Sequence, residues 1–158
     1  MKVIGSVKED LSKEKRIAIT PDIVKKITDL QFSIFLEKNY GTHLGINDEE
    51  YKNKGANFCN SAKEVLEKSE IILRVNCPSV DEIGLIKDKS ILIGQFDNLL
   101  DKEKINKLIK KNIKIFSLSL LPRITRAQTM DVLSSQANLA GYRAVIESIE
   151  EFGKVVPM

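Results

Sequence analysis

The chain has 158 residues, 42% of them hydrophobic and 30% charged, which suits a single compact domain with its own apolar core. Its 25 basic and 22 acidic side chains are interspersed and leave a formal net charge of only +3, a distribution that argues against a nucleic-acid partner. The apolar runs are as short as strands and the amino-terminal residues lack a signal-peptide core, so we expect a soluble cytoplasmic protein without direct membrane insertion.

Short apolar runs alternate with amphipathic helical patterns over most of the chain. The apolar runs predict strands at residues 2–6, 33–36, 71–75, 90–93 and 113–118. The patterns between them predict helices at residues 21–30, 48–54, 61–68 and 102–110. Several strand runs are continuously apolar, which is typical of strands buried on both faces of a parallel sheet. We therefore predict an α/β fold with an open, mainly parallel sheet flanked by helices, of the flavodoxin-like or Rossmann-like kind.

Two of the predicted helices carry start signals. Thr20 is a suitable N-cap and Pro21 a suitable first helical residue. Asp101 is expected to cap the helix that begins near Lys102.

A long helix is predicted at the end of the chain. Residues 126–152 contain no proline and one glycine, Thr125 with Gln128 fits a capping box, and Gly153 is expected to end the helix. Small residues recur along it at three- and four-residue spacings: Ala137, Ala140, Gly141, Ala144 and Ser148. This pattern fits close packing against a partner helix or a neighbouring domain. An ordinary core-facing stripe is the alternative, formed by Met130, Leu133, Ala137 and Ala140. We accordingly expect an α/β domain over residues 1–125 and a long connector helix, with the end of the chain, over residues 126–158.

The segment from Pro122 to Ser135 is the best candidate for a binding site, because it joins the end of a strand to the predicted helix start, where open parallel sheets bind ligands. Arg123 and Arg126 are unfavourable beside a helix N-terminus unless an anionic or strongly polar ligand offsets their charge. Gln128 and Asp131 are expected to share a helix face and to orient a carboxamide and a hydroxyl. In the alternative, purely structural interpretation, Asp131 neutralises one of the arginines and Gln128 only completes the cap.

Residues 122–145 read PRITRAQTMDVLSSQANLAGYRAV and resemble the signature of the NAD(H)-binding component of proton-translocating NAD(P) transhydrogenases. The opening, with Gly5, Lys8–Glu9 and EKRIAITP at residues 14–21, is similar to the start that this family shares with alanine dehydrogenases. The stretch SEIILRVN at residues 69–76 also matches, although the family more often has lysine at the position of Arg74. The resemblance extends over essentially the whole chain.

The resemblance implies hydride transfer between NAD(H) on one component and NADP(H) on a partner subunit, coupled to proton movement through membrane subunits. Such transfer requires the two nicotinamides to be held close and well oriented. The resemblance assigns this orienting role to five residues: Arg123, Thr125, Gln128, Asp131 and Ser134. It also implies a homo-oligomer that lies at the inner membrane through its partner subunits.

The glycine-rich loop that grips the pyrophosphate in this family is absent, since Gly41 and Gly45 form only a poor match to it. We therefore expect the NAD-binding domain to be encoded separately, or the chain to be an inactive remnant or a non-enzymatic assembly module. The segment around Asn39 and Tyr40 also departs from the small residues usual in the family, which puts the turn after the second strand in doubt.

The first domain of an alanine dehydrogenase is the enzymatic alternative. That family uses an arginine, a lysine and a histidine around its substrate; Arg16 and Arg74 match the first two only, because the single histidine, His43, lies in another segment. We expect Arg16 to be an ion-pair partner or part of a cleft, and His43 to be a surface residue rather than a metal ligand. Cys59 and Cys77 are expected to be free thiols without a nucleophilic role.

Overall fold

The computed structural model of the chain describes residues 2–96 and 101–154. The chain forms two compact units, Met1–Ser117 and Leu118–Met158, and each is described by itself. The separation into family domains at residues 1–125 and 126–158 stays a prediction.

The described residues of the first unit, 2–96 and 101–117, form six strands and five α-helices. The strands are β1 (Val3–Ser6), β2 (Ser33–Glu37), β3 (Ala56–Cys59), β4 (Ile71–Leu73), β5 (Ile91–Gly94) and β6 (Lys114–Ser117). The helices are α1 (Pro21–Asp29), α2 (Asp48–Lys52), α3 (Ala62–Lys68), α4 (Val80–Leu85) and α5 (Lys102–Lys110), with a short 3-10 helix at Thr42–Leu44.

The six strands form one sheet in the order β3-β2-β1-β4-β5-β6, and all five pairings are parallel. This is the doubly wound order of Rossmann-type sheets, in which the winding reverses between β1 and β4. The predicted α/β class with an open, mainly parallel sheet is therefore confirmed.

One strand and one α-helix of this unit escaped sequence prediction. Strand β3 has the sequence Ala-Asn-Phe-Cys, which contains no β-branched residue, and it forms through its register with β2, where Leu36 pairs with Phe58. Helix α4 has only six residues, including Gly84, which is too short a stretch for helical periodicity to be recognised.

The apolar core lies on both faces of the sheet. Ile72 of β4 belongs to one buried cluster, together with Leu66 of α3 and Leu92 of β5. Its neighbours Ile71 and Leu73 pack against a second cluster, which includes residues of α1, α2, β1, β2 and β3. Since successive side chains of a strand point to opposite faces, the helices cover the sheet on both sides.

Of the two predicted N-caps, Asp101 forms capping hydrogen bonds and Thr20 does not. Helix α1 begins with Pro21 as expected, but the Thr20 side chain makes no capping hydrogen bond. Asp101 does cap α5, because its carboxylate accepts hydrogen bonds from the backbone N–H groups of Glu103 and Lys104.

The second unit consists of two 3-10 helices, Leu118–Leu120 and Thr125–Met130, followed by the long helix α6 (Val132–Phe152). The predicted capping box of Thr125 and Gln128 is therefore wrong, since these residues belong to the 3-10 helix. Asp131 is the N-cap of α6, because its carboxylate reaches the free backbone N–H of Ser134. Gly153 ends α6 with a left-handed φ of 60°, as predicted. Residues 155–158 of the predicted terminal segment lie outside the described residues.

No residue of α6 is buried. The core-facing stripe considered above is consequently wrong: Met130 is 51% exposed and Leu133 is 44% exposed. Packing of the helix against a partner stays a prediction. Among residues 2–96 and 101–154, no helix combines the length and the apolar composition that crossing a membrane requires.

Candidate functional site

The start of α6 forms the centre of the candidate site. Oδ1 of Asp131 accepts the backbone N–H of Ser134 at 3.0 Å, and Oδ2 accepts the Ser134 hydroxyl at 2.6 Å. These hydrogen bonds, first that of the Ser134 hydroxyl, hold the pKa of Asp131 below its ordinary value, and the charge of Arg123 lowers it further. Asp131 is therefore an ionised carboxylate with a fixed orientation at neutral pH.

The segment before α6 carries two further candidate residues. Arg123 precedes the 3-10 helix Thr125–Met130, and Gln128 lies within it. The Gln128 main-chain carbonyl accepts the backbone N–H of Asp131 at 3.3 Å, while the Gln128 side chain is exposed. The backbone of this turn thus links Gln128 directly to the cap residue of α6.

Four of the five predicted site residues line one cavity of about 460 Å³ in this unit: Arg123, Gln128, Asp131 and Ser134. The fifth, Thr125, begins the 3-10 helix, is exposed, and is not among the residues that line the cavity. Apolar groups complete the wall, among them Leu121, Ile124 and Ala127. Such a combination of an apolar wall with a few convergent polar groups is typical of sites for small organic ligands.

Three details of the predicted geometry are wrong. Because α6 begins at Val132, Arg123 and Arg126 do not belong to its first turn, although Arg123 lies close enough to the cap residue Asp131 for its charge to lower the pKa of that carboxyl. Gln128 and Asp131 do not share a face of one α-helix; they converge on the cavity through the turn between two helices. In the part of the chain that the structure describes, Asp131 forms no ion pair within 4.0 Å with either arginine. Its carboxylate caps α6, and the charge of Arg123 acts on it only from beyond that distance.

Sequence reasoning missed Ser119, which also lines this cavity. Its hydroxyl oxygen is buried and has no hydrogen-bond partner within the described residues. The sequence held no signal for it, because a single serine between leucines belongs to no recognisable motif.

A second cavity, of about 530 Å³, lies in the first unit at the carboxyl ends of β1, β4 and β5. It contains Arg74, whose guanidinium donates to Glu9 and to Glu82. Burial raises the pKa of Glu82, but the charge and hydrogen bonds of Arg74 outweigh it and lower the pKa overall. The sequence pointed to Arg74 but did not predict that Glu9 or Glu82 contacts it. Glu9 lies 65 positions earlier in the chain, and Glu82 belongs to α4, which was not predicted.

Arg16 and His43 have structural contacts. Arg16 forms a forked ion pair with Glu14, with distances of 2.9 Å from Nε to Oε1 and 2.7 Å from Nη2 to Oε2. The Glu14 hydrogen bond raises the pKa of Arg16. The exposed ring of His43 contacts the main-chain oxygen of Lys15 at 2.8 Å through Nε2. The predicted ion-pair role of Arg16 and the surface position of His43 agree with these contacts.

Both cysteines are free thiols, as predicted. Burial raises the pKa of Cys77, which works against a nucleophilic thiolate. Within residues 2–96 and 101–154 there is no group of three histidine, cysteine or carboxylate side chains that could hold a metal ion.

Comparison with known proteins gives a consistent result. Residues 5–140 match the family described as alanine dehydrogenase/PNT, N-terminal domain. The first polypeptide of the NAD(P) transhydrogenase alpha subunit from Rhodospirillum rubrum is 37% identical over 160 aligned positions, which cover 98% of this chain and 42% of that protein. The crystal structure of transhydrogenase from Sinorhizobium meliloti is similar with a TM-score of 0.89 and 37% identity, covering 99% of this chain and 47% of that one.

Alanine dehydrogenases are more distant relatives: that of Methanococcus maripaludis is 29% identical over 90% of this chain and 38% of its own length. The chain thus spans less than half the length of the proteins that it matches. Its fold, its sequence and its greater identity to transhydrogenase alpha subunits agree with the resemblance inferred from residues 122–145. The chain belongs to the alanine dehydrogenase/PNT N-terminal domain family and is related to the amino-terminal portion of NAD(P) transhydrogenase alpha subunits.

Proposed function

We propose that this chain contributes the nicotinamide-orienting part of the NAD(H) site of a proton-translocating NAD(P) transhydrogenase. The observation that carries the proposal is the convergence of Arg123, Gln128, Asp131 and Ser134 on one cavity. The relatives bear the name NAD(P) transhydrogenase, which identifies a nicotinamide nucleotide as the ligand class. When bound, NAD(H) supplies the hydride chemistry, and the side chains of this chain bind the cofactor and orient its nicotinamide.

The polar groups fit a nicotinamide riboside in size and in hydrogen-bonding capacity. A cavity of about 460 Å³ lies within the usual range for small-molecule sites. An ionised carboxylate has about four acceptor positions. Asp131 uses two of them for Ser134, which leaves capacity for a ribose hydroxyl. The exposed Gln128 amide offers both a donor and an acceptor, as a carboxamide requires.

Asp131 and Ser134 are well suited to hold a ligand in one orientation. The side chain of Asp131 is fixed by two hydrogen bonds at the start of a 21-residue helix, so little rotamer entropy remains to be lost on binding. Arg123 is exposed and has the planar fork of donors that suits phosphate or carboxamide oxygens. Such positioning is the main contribution that a protein makes to direct hydride transfer between two cofactors.

Partner chains belong to the same proposal. The Rhodospirillum rubrum relative is named as one portion of an alpha subunit, and this chain spans 42% of its length. We propose that an NAD-binding domain with a glycine-rich loop completes the site, that NADP(H) is bound by another component, and that a membrane subunit couples hydride transfer to proton movement. The assembly would be a homo-oligomer on the cytoplasmic side of the inner membrane, attached through these partners.

Calorimetric titration with NADH tests whether the site is shared. The 158-residue chain alone should bind NADH weakly or not at all, and binding should be recovered on mixing with a chain that carries the glycine-rich nucleotide fold. Tight binding by the chain alone would contradict the shared site, and failure of the mixture to bind would contradict the proposed partner.

A matched pair of variants tests the role of the cavity. Arg123→Ala should lower hydride transfer in the assembled system by roughly 10–100-fold, the effect of losing one positioning contact of about 1.4–2.7 kcal/mol. Arg126→Ala is the control, because Arg126 is an exposed arginine of the same segment that does not line the cavity. Equal rates for the two variants would remove Arg123 from the site.

A further inference from the structure

The cavity of the first unit lies where a ligand would be expected from sheet topology alone. Strands β2 and β3 lie on one side of β1, and β4, β5 and β6 lie on the other. The carboxyl ends of β1 and β4 therefore flank the point at which the winding reverses, where open α/β sheets bind their ligands. The cavity of about 530 Å³ is lined by residues that follow β1, β4 and β5 and by the first turn of α4.

This cavity contains a guanidinium, the group best matched to a carboxylate. Arg74 directly follows β4, and only 5% of its side chain is exposed. All three of its side-chain nitrogens donate to carboxylates of the protein itself. Nε and Nη2 bind the two oxygens of Glu9 at 2.9 and 3.1 Å, and Nη1 binds Oε1 of Glu82 at 2.8 Å.

The two carboxylates differ in how they are held. Glu9 is 5% exposed and also accepts the backbone N–H of Val75 at 2.8 Å, so it completes a neutral buried pair with Arg74 and fixes the end of β4. Glu82 is 27% exposed and belongs to the capping box of α4, where its Oε2 accepts the backbone N–H of Ser79 at 2.8 Å.

Glu82 is thus the second carboxylate on a single cation. With Glu9 and Arg74 already forming a neutral pair, Glu82 gives the buried group a net charge of −1. A further anion would meet both this charge and a guanidinium whose nitrogens are already engaged. The geometry resembles that of an occupied anion site, with the anion covalently attached to the protein.

We propose that Glu82 is a built-in ligand of this cavity. Its carboxylate takes the position on Arg74 that the carboxylate of a small molecule would take, and it keeps carboxylic-acid ligands from binding Arg74. The exclusion concerns this position, because Lys13 and Lys104 also line the cavity. Glu82 is therefore a specificity-determining residue that acts by exclusion, independently of the NAD(H) site proposed above.

Chemical rescue provides the test. Glu82→Ala removes the carboxylate and leaves space beside Arg74, so acetate should bind there and stabilise the fold. We expect the thermal midpoint of this variant to rise by about 3 °C in about 100 mM acetate relative to chloride at equal ionic strength. Glu50→Ala is the matched control, because Glu50 is the capping-box glutamate of α2 and forms no ion pair among the described residues.

The wild-type chain and Glu50→Ala should show no such difference between acetate and chloride. A wild-type response as large as that of Glu82→Ala, or the lack of any acetate response in Glu82→Ala, would overturn the proposal. If Glu82→Ala does not fold, Glu82→Ser also vacates the position beside Nη1 of Arg74 and keeps a polar side chain in the first turn of α4. Acetate should then shift the NMR resonances of the Arg74 guanidinium in this variant and leave them unchanged in the wild type; the opposite pattern would overturn the proposal.

Discussion

Ser134 donates both its hydroxyl and its backbone N–H to Asp131, one to each carboxylate oxygen. One residue pair therefore performs two tasks: it caps the 21-residue helix α6, and it orients a carboxylate on the wall of the candidate NAD(H) cavity. Ser135 provides an internal comparison, because its hydroxyl donates to the main-chain oxygen of Asp131 at 3.0 Å and not to the carboxylate.

Removal of the Ser134 hydroxyl should raise the pKa of Asp131 toward its ordinary value, since that hydrogen bond is the first cause of the lowered pKa. Titration of the Asp131 carboxyl carbon by NMR in Ser134→Ala measures this change. Ser135→Ala should leave the pKa of Asp131 where it is in the wild type. Equal pKa values in Ser134→Ala and the wild type would show that the hydroxyl contact is not formed in solution.

The same carboxylate gives the fold a defined pH dependence. Because the folded-state pKa of Asp131 lies below its unfolded value, ionised Asp131 stabilises the fold above the unfolded pKa of about 3.9. This contribution is lost as the pH falls through the folded-state pKa. The difference in unfolding free energy between wild type and Asp131→Asn should therefore be present at neutral pH and shrink in acid. A difference that does not vary with pH would contradict the proposed charge effect.

Asp131→Ala removes the N-cap of α6 as well as the charge, and we expect it to lower the free energy of unfolding. Asp131→Asn should retain most of that stability, because an asparagine oxygen can still accept the Ser134 N–H. In the assembled system both substitutions should impair hydride transfer if the carboxylate binds the ribose. Recovery of activity in Asp131→Asn alone would mean that Asp131 acts only as a cap.

Tyr40 is a second test of the fold, at a position where the sequence left the turn after β2 in doubt. Its buried hydroxyl lies 2.7 Å from Ser6 Oγ and accepts the backbone N–H groups of Ala18 and Ile19. Tyr40→Phe leaves the backbone N–H groups of Ala18 and Ile19 without this acceptor, while Ser6 still donates to the main-chain oxygen of Leu73. The substitution should lower the free energy of unfolding by about 1–3 kcal/mol in urea denaturation. Tyr142→Phe, on the exposed face of α6, should have no measurable effect. Equal stability of the two variants would contradict the hydrogen-bond network.

The buried Arg74 ion pair should be far more important for stability than a surface pair. Glu9→Ala leaves Arg74 with Glu82 as its remaining partner and should cost about 3 kcal/mol. Glu147→Ala removes the exposed pair with Arg143 on α6 and should cost about 0.3–0.5 kcal/mol. Urea denaturation of both variants measures the difference, and similar losses would show that Arg74 is not held as described.

Two glycines should respond to alanine in opposite directions. A Cβ at Gly94 would overlap the main-chain oxygen of Arg74 and the ring of Phe96, so Gly94→Ala should destabilise the fold by about 3 kcal/mol. A Cβ at Gly84 in α4 would meet no atom within 4 Å, and Gly84→Ala should stabilise the helix by about 0.5–1 kcal/mol. Thermal unfolding compares the two, and destabilisation by both would contradict the described packing around Gly84.

The sequence alone determined the class of the fold and the segment of the candidate site. Continuous apolar runs separated by amphipathic stretches were enough to predict a parallel α/β sheet, because burial on both faces makes central strands such as β4 and β5 continuously apolar. The stretch from Pro122 to Ser135 was recognisable because its polar residues are close in sequence. Local signals such as Asp101 and Gly153 were also correct, since a cap depends only on its nearest neighbours.

Only the tertiary structure determined which segments pair in the sheet, where α6 begins and which distant side chains are in contact. Strand β3 forms because it pairs with β2, and α6 starts after Asp131, whose carboxylate accepts the free backbone N–H of Ser134. The contact between Glu9 and Arg74 joins residues 65 positions apart, so no local sequence pattern predicts it. Such a contact forms only because the sheet brings the carboxyl ends of β1 and β4 together. The strand order is set by the packing of the whole domain and not by any short segment of sequence.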